Sequence, residues 1–168
     1  MGIVSYKGPY LYGTLVSGEA LERVSRERKN KYNEIKIDKS ELKIYLTQGW
    51  EVHREVRNKV LLRKMKNLDE LLENEVWLLF KKMGFEEMNK DRKFKIQAGE
   101  ITKQIDGFAK DKESNNVFII ECKCQREKSP KSLRKDISEI IALKREIILS
   151  IRRHYREKLR AVSYTHLR

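Results

Sequence analysis

From Leu68 to Met83 the apolar residues advance by three and four, and after Gly84 they begin to alternate. Leu68, Leu71, Leu72, Val76, Leu79, Phe80 and Met83 share one side of a helix. Asn67 stands where an N-cap belongs, Asp69 and Glu70 sit in the first turn where the dipole favours negative charge, and Gly84 with Phe85 supplies a stop. The spacing predicts a helix over 67–83. Beyond it, 92–98 and 101–109 read as strands parted by Ala98-Gly99-Glu100, and 117–124 reads as a third after the polar turn Asp111 to Asn116. Ser129-Pro130 then opens a long amphipathic helix over about 131–160, with Leu133, Ile137, Ile140, Ile141, Ile148, Ile151, Tyr155 and Leu159 as its stripe. A helix, an antiparallel meander and a second helix make an α/β domain, because a strand set with one apolar face needs a helix laid against it.

The chain ahead of this core is less regular. Residues 3–16 suggest one or two short strands around Gly8-Pro9, and Ser17 precedes a charged helix over 18–30 with Ala20, Leu21 and Val24 as its apolar stripe. A short helix over 41–46 and a strand over 50–60, where Val52, Arg54 and Val56 alternate, follow. The reading divides the chain into a small α/β segment at 1–66, a core domain at 67–160 and a tail at 161–168.

Composition narrows the partners. The 168 residues are 39% hydrophobic and 38% charged, enough apolar content for a core beneath an ionic surface. No run reaches the roughly 18 apolar residues of a membrane span, and the start lacks the apolar stretch of a secretory signal. Cys122 and Cys124 are too close on one strand for an ordinary disulfide, and a cytoplasmic location is expected. The net charge of +13 is uneven: +7 over 1–68, −2 over 69–125 and +8 over 126–168. Basic flanks of this kind attract a polyanion, nucleic acid being the commonest. Arg134, Lys135, Arg152, Arg153 and Arg156 on the last helix are the candidate phosphate contacts.

The informative segment is Gln104-Ile105-Asp106-Gly107-Phe108 followed by Phe118-Ile119-Ile120-Glu121-Cys122-Lys123. On a strand Glu121 and Lys123 share a face, and Ile120, Cys122 and Cys124 take the other. If 101–109 and 117–124 form a hairpin, Asp106 falls opposite the neighbourhood of Glu121 to Lys123. Two carboxylates and an ammonium then converge. Two such oxygens are what Mg²⁺ takes from protein, and a lysine beside them can orient or deprotonate a water.

Asp106 and Glu121-Cys122-Lys123 on an apolar strand, behind a helix bearing an acid, resemble the PD-(D/E)xK nuclease superfamily, in particular its Mrr-like restriction-nuclease branch. The resemblance covers about 68–150 and implies a restriction-endonuclease-like core acting on DNA with Mg²⁺ or Mn²⁺. It implies metal ligation by Asp106, Glu121 and the carbonyl of Cys122, and Lys123 as catalytic lysine. Glu73 of Leu72-Glu73-x-x-Val76 matches the helical glutamate, since it shares a face with Val76, Trp77 and Phe80; Glu75 is the fallback. Gln125 lies where related nucleases carry a further polar residue, and Ile105 stands where the pattern's name has proline. More loosely, Gln48-Gly49-Trp50, Asp136 to Ile140 and Ile151 to His154 are similar to prokaryotic proteins that join such a module to a DGQHR domain, relatives of regulators of DNA phosphorothioation, which implies a defence setting and a longer protein. The tail Val162 to Arg168 is read as non-native.

Competing readings are kept beside this one. The same fold serves as a non-catalytic DNA-binding or regulatory module when its centre degenerates, and a homodimer is compatible with either. Cys122-x-Cys124 lacks companions for a zinc site, since His53, His154 and His166 are scattered. Tyr6, Tyr10 and Tyr12 could stack bases, but strand packing accounts for them more simply.

Overall fold

The computed structural model describes residues 2–123 and 130–158. The chain begins with a hairpin of β1 (Ile3–Lys7) and β2 (Leu11–Val16), then α1 (Gly18–Lys29). β3 (Tyr32–Asp38), a 3₁₀ turn (Lys39–Glu41), α2 (Leu42–Thr47), β4 (Glu51–Val56) and β5 (Lys59–Met65) follow. The second half holds α3 (Leu68–Lys82), β6 (Glu87–Asn89), β7 (Phe94–Ala98), β8 (Ile101–Ile105), β9 (Gly107–Lys110), β10 (Val117–Ile120) and α4 (Pro130–Lys158). Asn67 caps α3 as its position predicts, its Oδ1 accepting the Glu70 N–H at 2.8 Å.

Seven strands form one antiparallel sheet. β2 carries β1 along one edge; along the other, Leu15 and Val16 pair with β6, and Leu11 and Tyr12 pair with β7. β7 pairs with β8, and β6 with β9. β6 with β7, and β8 with β9, are therefore two long strands, one interrupted at 90–93 and the other at Asp106. β10 closes the order against β9. The strand expected over 101–109 is broken at Asp106, and that expected over 117–124 ends at Ile120. The reason is local competition: Asp106 Oδ2 accepts the Cys122 N–H at 2.6 Å, and Asn89 Oδ1 accepts the Phe108 N–H at 2.9 Å, so side chains replace ladder partners.

Helices cover both faces of this sheet. Ile147, Ile151 and Tyr155 of α4 pack on Leu11, Leu15, Phe94, Ile96, Phe108 and Val117. The opposite face, with Val16, Met88, Ala109 and Ile120, is covered by Ala20, Leu21 and Val24 of α1 and Trp77 of α3. Phe108 and Ala109, adjacent in β9, enter opposite cores, as period-two alternation requires. β2 and α1, both ahead of the boundary drawn at residue 66, thus hydrogen-bond and pack with elements after it, and Tyr6 of β1 packs against the same core.

A second antiparallel sheet, in the order β3-β5-β4, encloses Ile37, Val60 and Leu62, with Leu42, Tyr45 and Trp50 packed against them. The single strand expected over 50–60 is a hairpin instead: the chain turns at Arg57, whose φ is 53°, before β5 begins. β3 and β6 had no counterpart in the sequence reading. α4 runs 29 residues, about 43 Å at 1.5 Å per residue, and outreaches the sheet beneath it. Ile137 and Ile141 are accordingly exposed although they continue the apolar stripe. No helix among the described residues is long and apolar enough to cross a membrane.

Candidate metal and nuclease centre

Asp106 and Glu121 meet at one end of the β9–β10 ladder. Gly107 pairs with Ile120, so the residues just beyond, Asp106 and Glu121, face each other where both strands stop. Asp106 N–H donates to the Ile120 carbonyl at 3.1 Å, and its carboxylate turns back to accept from Cys122 N–H. Space beside it is tight: a Cβ on Gly107 would lie 2.9 Å from Ile120 Cδ1 and 3.0 Å from Ile120 Cβ.

The two carboxyl groups hydrogen-bond to each other and are partly buried. Burial first, then the charge of Asp106, pushes Glu121 up to about 7, against the pull of Lys103 and Lys123. Burial also raises Asp106, with the charge of Glu73 adding to it, while the Cys122 amide and Lys123 act the other way. The two carboxyls act directly on each other and so titrate as a unit. Glu121 Oε1 is buried without a hydrogen-bond partner. Such an oxygen fits a ligand position left for a cation. The Cys122 thiol is pushed up to about 11 by burial and by Asp106, so at neutral pH it is a neutral thiol. Among the described residues no group of three or more His, Cys, Asp or Glu is arranged to hold a metal. The side-chain donors at this point are two, Asp106 and Glu121.

Glu73 is buried on α3 and Glu75 is exposed, the division that their helical faces predict. Arg92, in the interruption between β6 and β7, holds Glu73 with a fork: Nε to Oε2 at 2.5 Å and Nη2 to Oε1 at 3.0 Å. The charge of Glu73 reaches both Asp106 and Cys122. Lys123 is exposed, and its charge acts on Asp106 and Glu121. Gln125 and Cys124 lie outside the described residues. Arg134, Lys135, Arg152, Arg153 and Arg156 are all exposed on α4. Tyr6 is drawn against the core, its ring edge-on to His154 at 4.7 Å.

The sequence reading missed the residues that hold this arrangement. Asn89, fully buried, spans both strand interruptions: its Nδ2 donates to the Asp91 carbonyl at 2.9 Å and the Asp106 carbonyl at 3.3 Å. Its own carbonyl accepts the Trp77 indole N–H at 2.9 Å, joining α3 to the break. Arg28 of α1 donates to Asn74 Oδ1 of α3 and to the Lys90 carbonyl, with its guanidinium 4.9 Å from the Trp77 ring centroid. In the sequence these residues look like turn and surface polars; Met88 alone, apolar amid the polar run 86–93, hinted that this stretch is buried.

The chain matches no protein-family model, no curated protein and no solved structure at a significant level.

Proposed function

We propose that the chain hydrolyses phosphodiester bonds in DNA with a divalent cation, Mg²⁺ or Mn²⁺, held by Asp106, Glu121 and the carbonyl of Cys122. The observation that carries the reading is the meeting of Asp106 and Glu121 at the mouth of the β9–β10 ladder, with Glu121 Oε1 buried and unpartnered. Two carboxyls pressed together away from water repel one another, and a hard cation removes that cost. When bound, the cation neutralises phosphate charge and lowers the pKa of a water.

The residues of the chain do the rest. The Cys122 amide fixes one Asp106 oxygen and so orients the other. Lys123, beside both carboxyls and open to solvent, donates to a phosphate oxygen or takes a proton from the attacking water. Glu73 is a positioning residue: gripped by Arg92, it holds the 90–93 turn against Asp106. The five exposed cations of α4 contact backbone phosphates without reading bases. The restriction-endonuclease-like core, the defence setting and a homodimer follow from the resemblance.

A second reading, a DNA-binding module without chemistry, is favoured by the two-carboxylate donor set, one fewer side chain than many metal centres use. Incubating plasmid and linear DNA with Mg²⁺ or Mn²⁺ separates the two. Wild type is expected to cleave, and Asp106→Ala and Lys123→Ala to lose about 100-fold or more. Retention of DNA without cleavage by any of the three proteins refutes the enzyme reading and leaves the second.

A further inference from the structure

A cleft of about 600 Å³ opens between α1, α3 and the 90–93 turn. That volume lies within the range of about 300–1,000 Å³ typical of small-ligand pockets. Arg28, Lys66, Lys90 and Lys93 line it, with Asn74 and Arg92. Among the described residues none of the first four lies within ion-pair distance of a carboxylate. Of the three acids in the wall, Glu70 is engaged by Arg92 at 3.5 Å, which leaves Glu27 and Asp91 against four cations.

The deepest groups are short of acceptors. Arg28 is 7% exposed and Asn74 4% exposed. Arg28 Nη1 donates to Asn74 Oδ1 at 2.9 Å and Nη2 to the Lys90 carbonyl at 3.0 Å, both neutral acceptors. Arg28 Nε and Asn74 Nδ2 are buried with no partner at all. A buried, unsatisfied donor costs about 1–3 kcal/mol, and two of them in the wall of one basic cleft call for an oxyanion. Burial also pushes Arg28 down to about 10 and lowers Lys66. A tetrahedral phosphate takes several N–H donors at once, and the cleft leaves room beside it for a sugar or base.

We propose that this cleft binds a phosphate group of a nucleic-acid strand, with Arg28, Lys66, Lys90 and Lys93 as its cations and Asn74 Nδ2 as a neutral donor. The identity of the strand rests on the phosphodiesterase reading, but the anion site does not depend on chemistry at Asp106 and Glu121.

The test is metal-free fluorescence polarisation of the 168-residue chain with a labelled single-stranded oligonucleotide, carrying either a 5′-phosphate or a 5′-hydroxyl, over a series of salt concentrations. Lys66→Ala/Lys93→Ala changes two accessible cations and leaves the buried Arg28 in place. Its Kd is expected to rise about tenfold or more, and its slope of log K against log salt to flatten by about 0.7 for each lost phosphate contact. A preference for the 5′-phosphate that vanishes in the variant assigns the site to a strand end; equal weakening of both probes assigns it to the backbone. An unchanged Kd and slope in the variant overturn the proposal. If wild type never cleaves DNA but the variant still loses affinity, the phosphodiesterase reading falls and the phosphate site stands.

Discussion

Glu121 couples the candidate centre to stability. Its folded value of about 7 lies above the ordinary 4.5, so between those values the unfolded chain has released a proton that the folded chain keeps. The stabilisation is complete below about pH 4.5 and is lost as pH rises through 7, by about 1–2 kcal/mol once water around a half-buried carboxyl is allowed for. Asp106, raised as well, adds in the same direction. Urea denaturation is expected to show lower stability at pH 8 than at pH 5, with the difference reduced in Glu121→Gln and offset in wild type at pH 8 by about 10 mM Mg²⁺. A steeper pH dependence in Glu121→Gln would contradict this account. Arg92 makes a separate prediction. Removing it leaves Glu73 charged and buried, so Arg92→Ala should lose about 2–4 kcal/mol, and Arg92→Ala/Glu73→Gln should recover part of that loss in the same denaturation experiment.

At the scale of elements, the two interrupted strands depend on one side chain. Asn89 satisfies the Phe108 amide and the Asp91 and Asp106 carbonyls from a fully buried position, while its backbone holds Trp77. Asn89→Ala strands a buried amide and two carbonyls and should cost about 2–3 kcal/mol, with amide hydrogen exchange rising first at Phe108 and Cys122. Uniform exchange across the sheet would instead mean a global loss without a local break. The same residues explain what was legible beforehand. The bounds of α3 were readable to within a residue because its cap, its period and its stop are local, and Glu73 is buried rather than Glu75. The apolar stripe read from the period is not the buried face, however, since Leu68, Leu79 and Met83 are exposed. The helix buries Glu73, Asn74 and Trp77, whose place was set by Arg92, Arg28 and the Asn89 carbonyl. The break at Asp106 was not, because a pattern of alternating residues says nothing of a side chain 17 positions away that competes for the backbone. β3 was missed because its alternation is carried by Ile35 and Ile37 alone among charged and polar neighbours, a pattern that becomes a strand only when β5 pairs with it.

Over the whole molecule, charge and fold divide the labour. The carboxyl pair lies in the stretch 69–125, the one with net −2, while the surplus cations belong to the chain on either side. Arg152, Arg153 and Arg156 stand exposed among the sheet-facing Ile151 and Tyr155 of α4, so Arg152→Ala/Arg153→Ala/Arg156→Ala should weaken DNA binding uniformly across sequences. On duplex DNA the slope of log K against log salt should flatten by up to about three, and thermal stability should stay within about 1 kcal/mol of wild type. A change in affinity with no change in salt slope would assign these arginines to something other than phosphate contact. By itself the sequence determined the type of most elements, the hairpin that sets Asp106 against Glu121, and the exposed cations of the last helix, because caps, periods and turn residues act over a few positions. Only the tertiary structure decided that β2 would join the sheet beside β6 and β7, that Asn89 and Arg92 would brace the carboxyls, and that Arg28 would leave the surface to form a basic cleft with Lys66, Lys90 and Lys93. Those outcomes rest on contacts between residues from 17 to more than 60 positions apart, where burial and hydrogen-bond satisfaction, rather than local propensity, set the conformation.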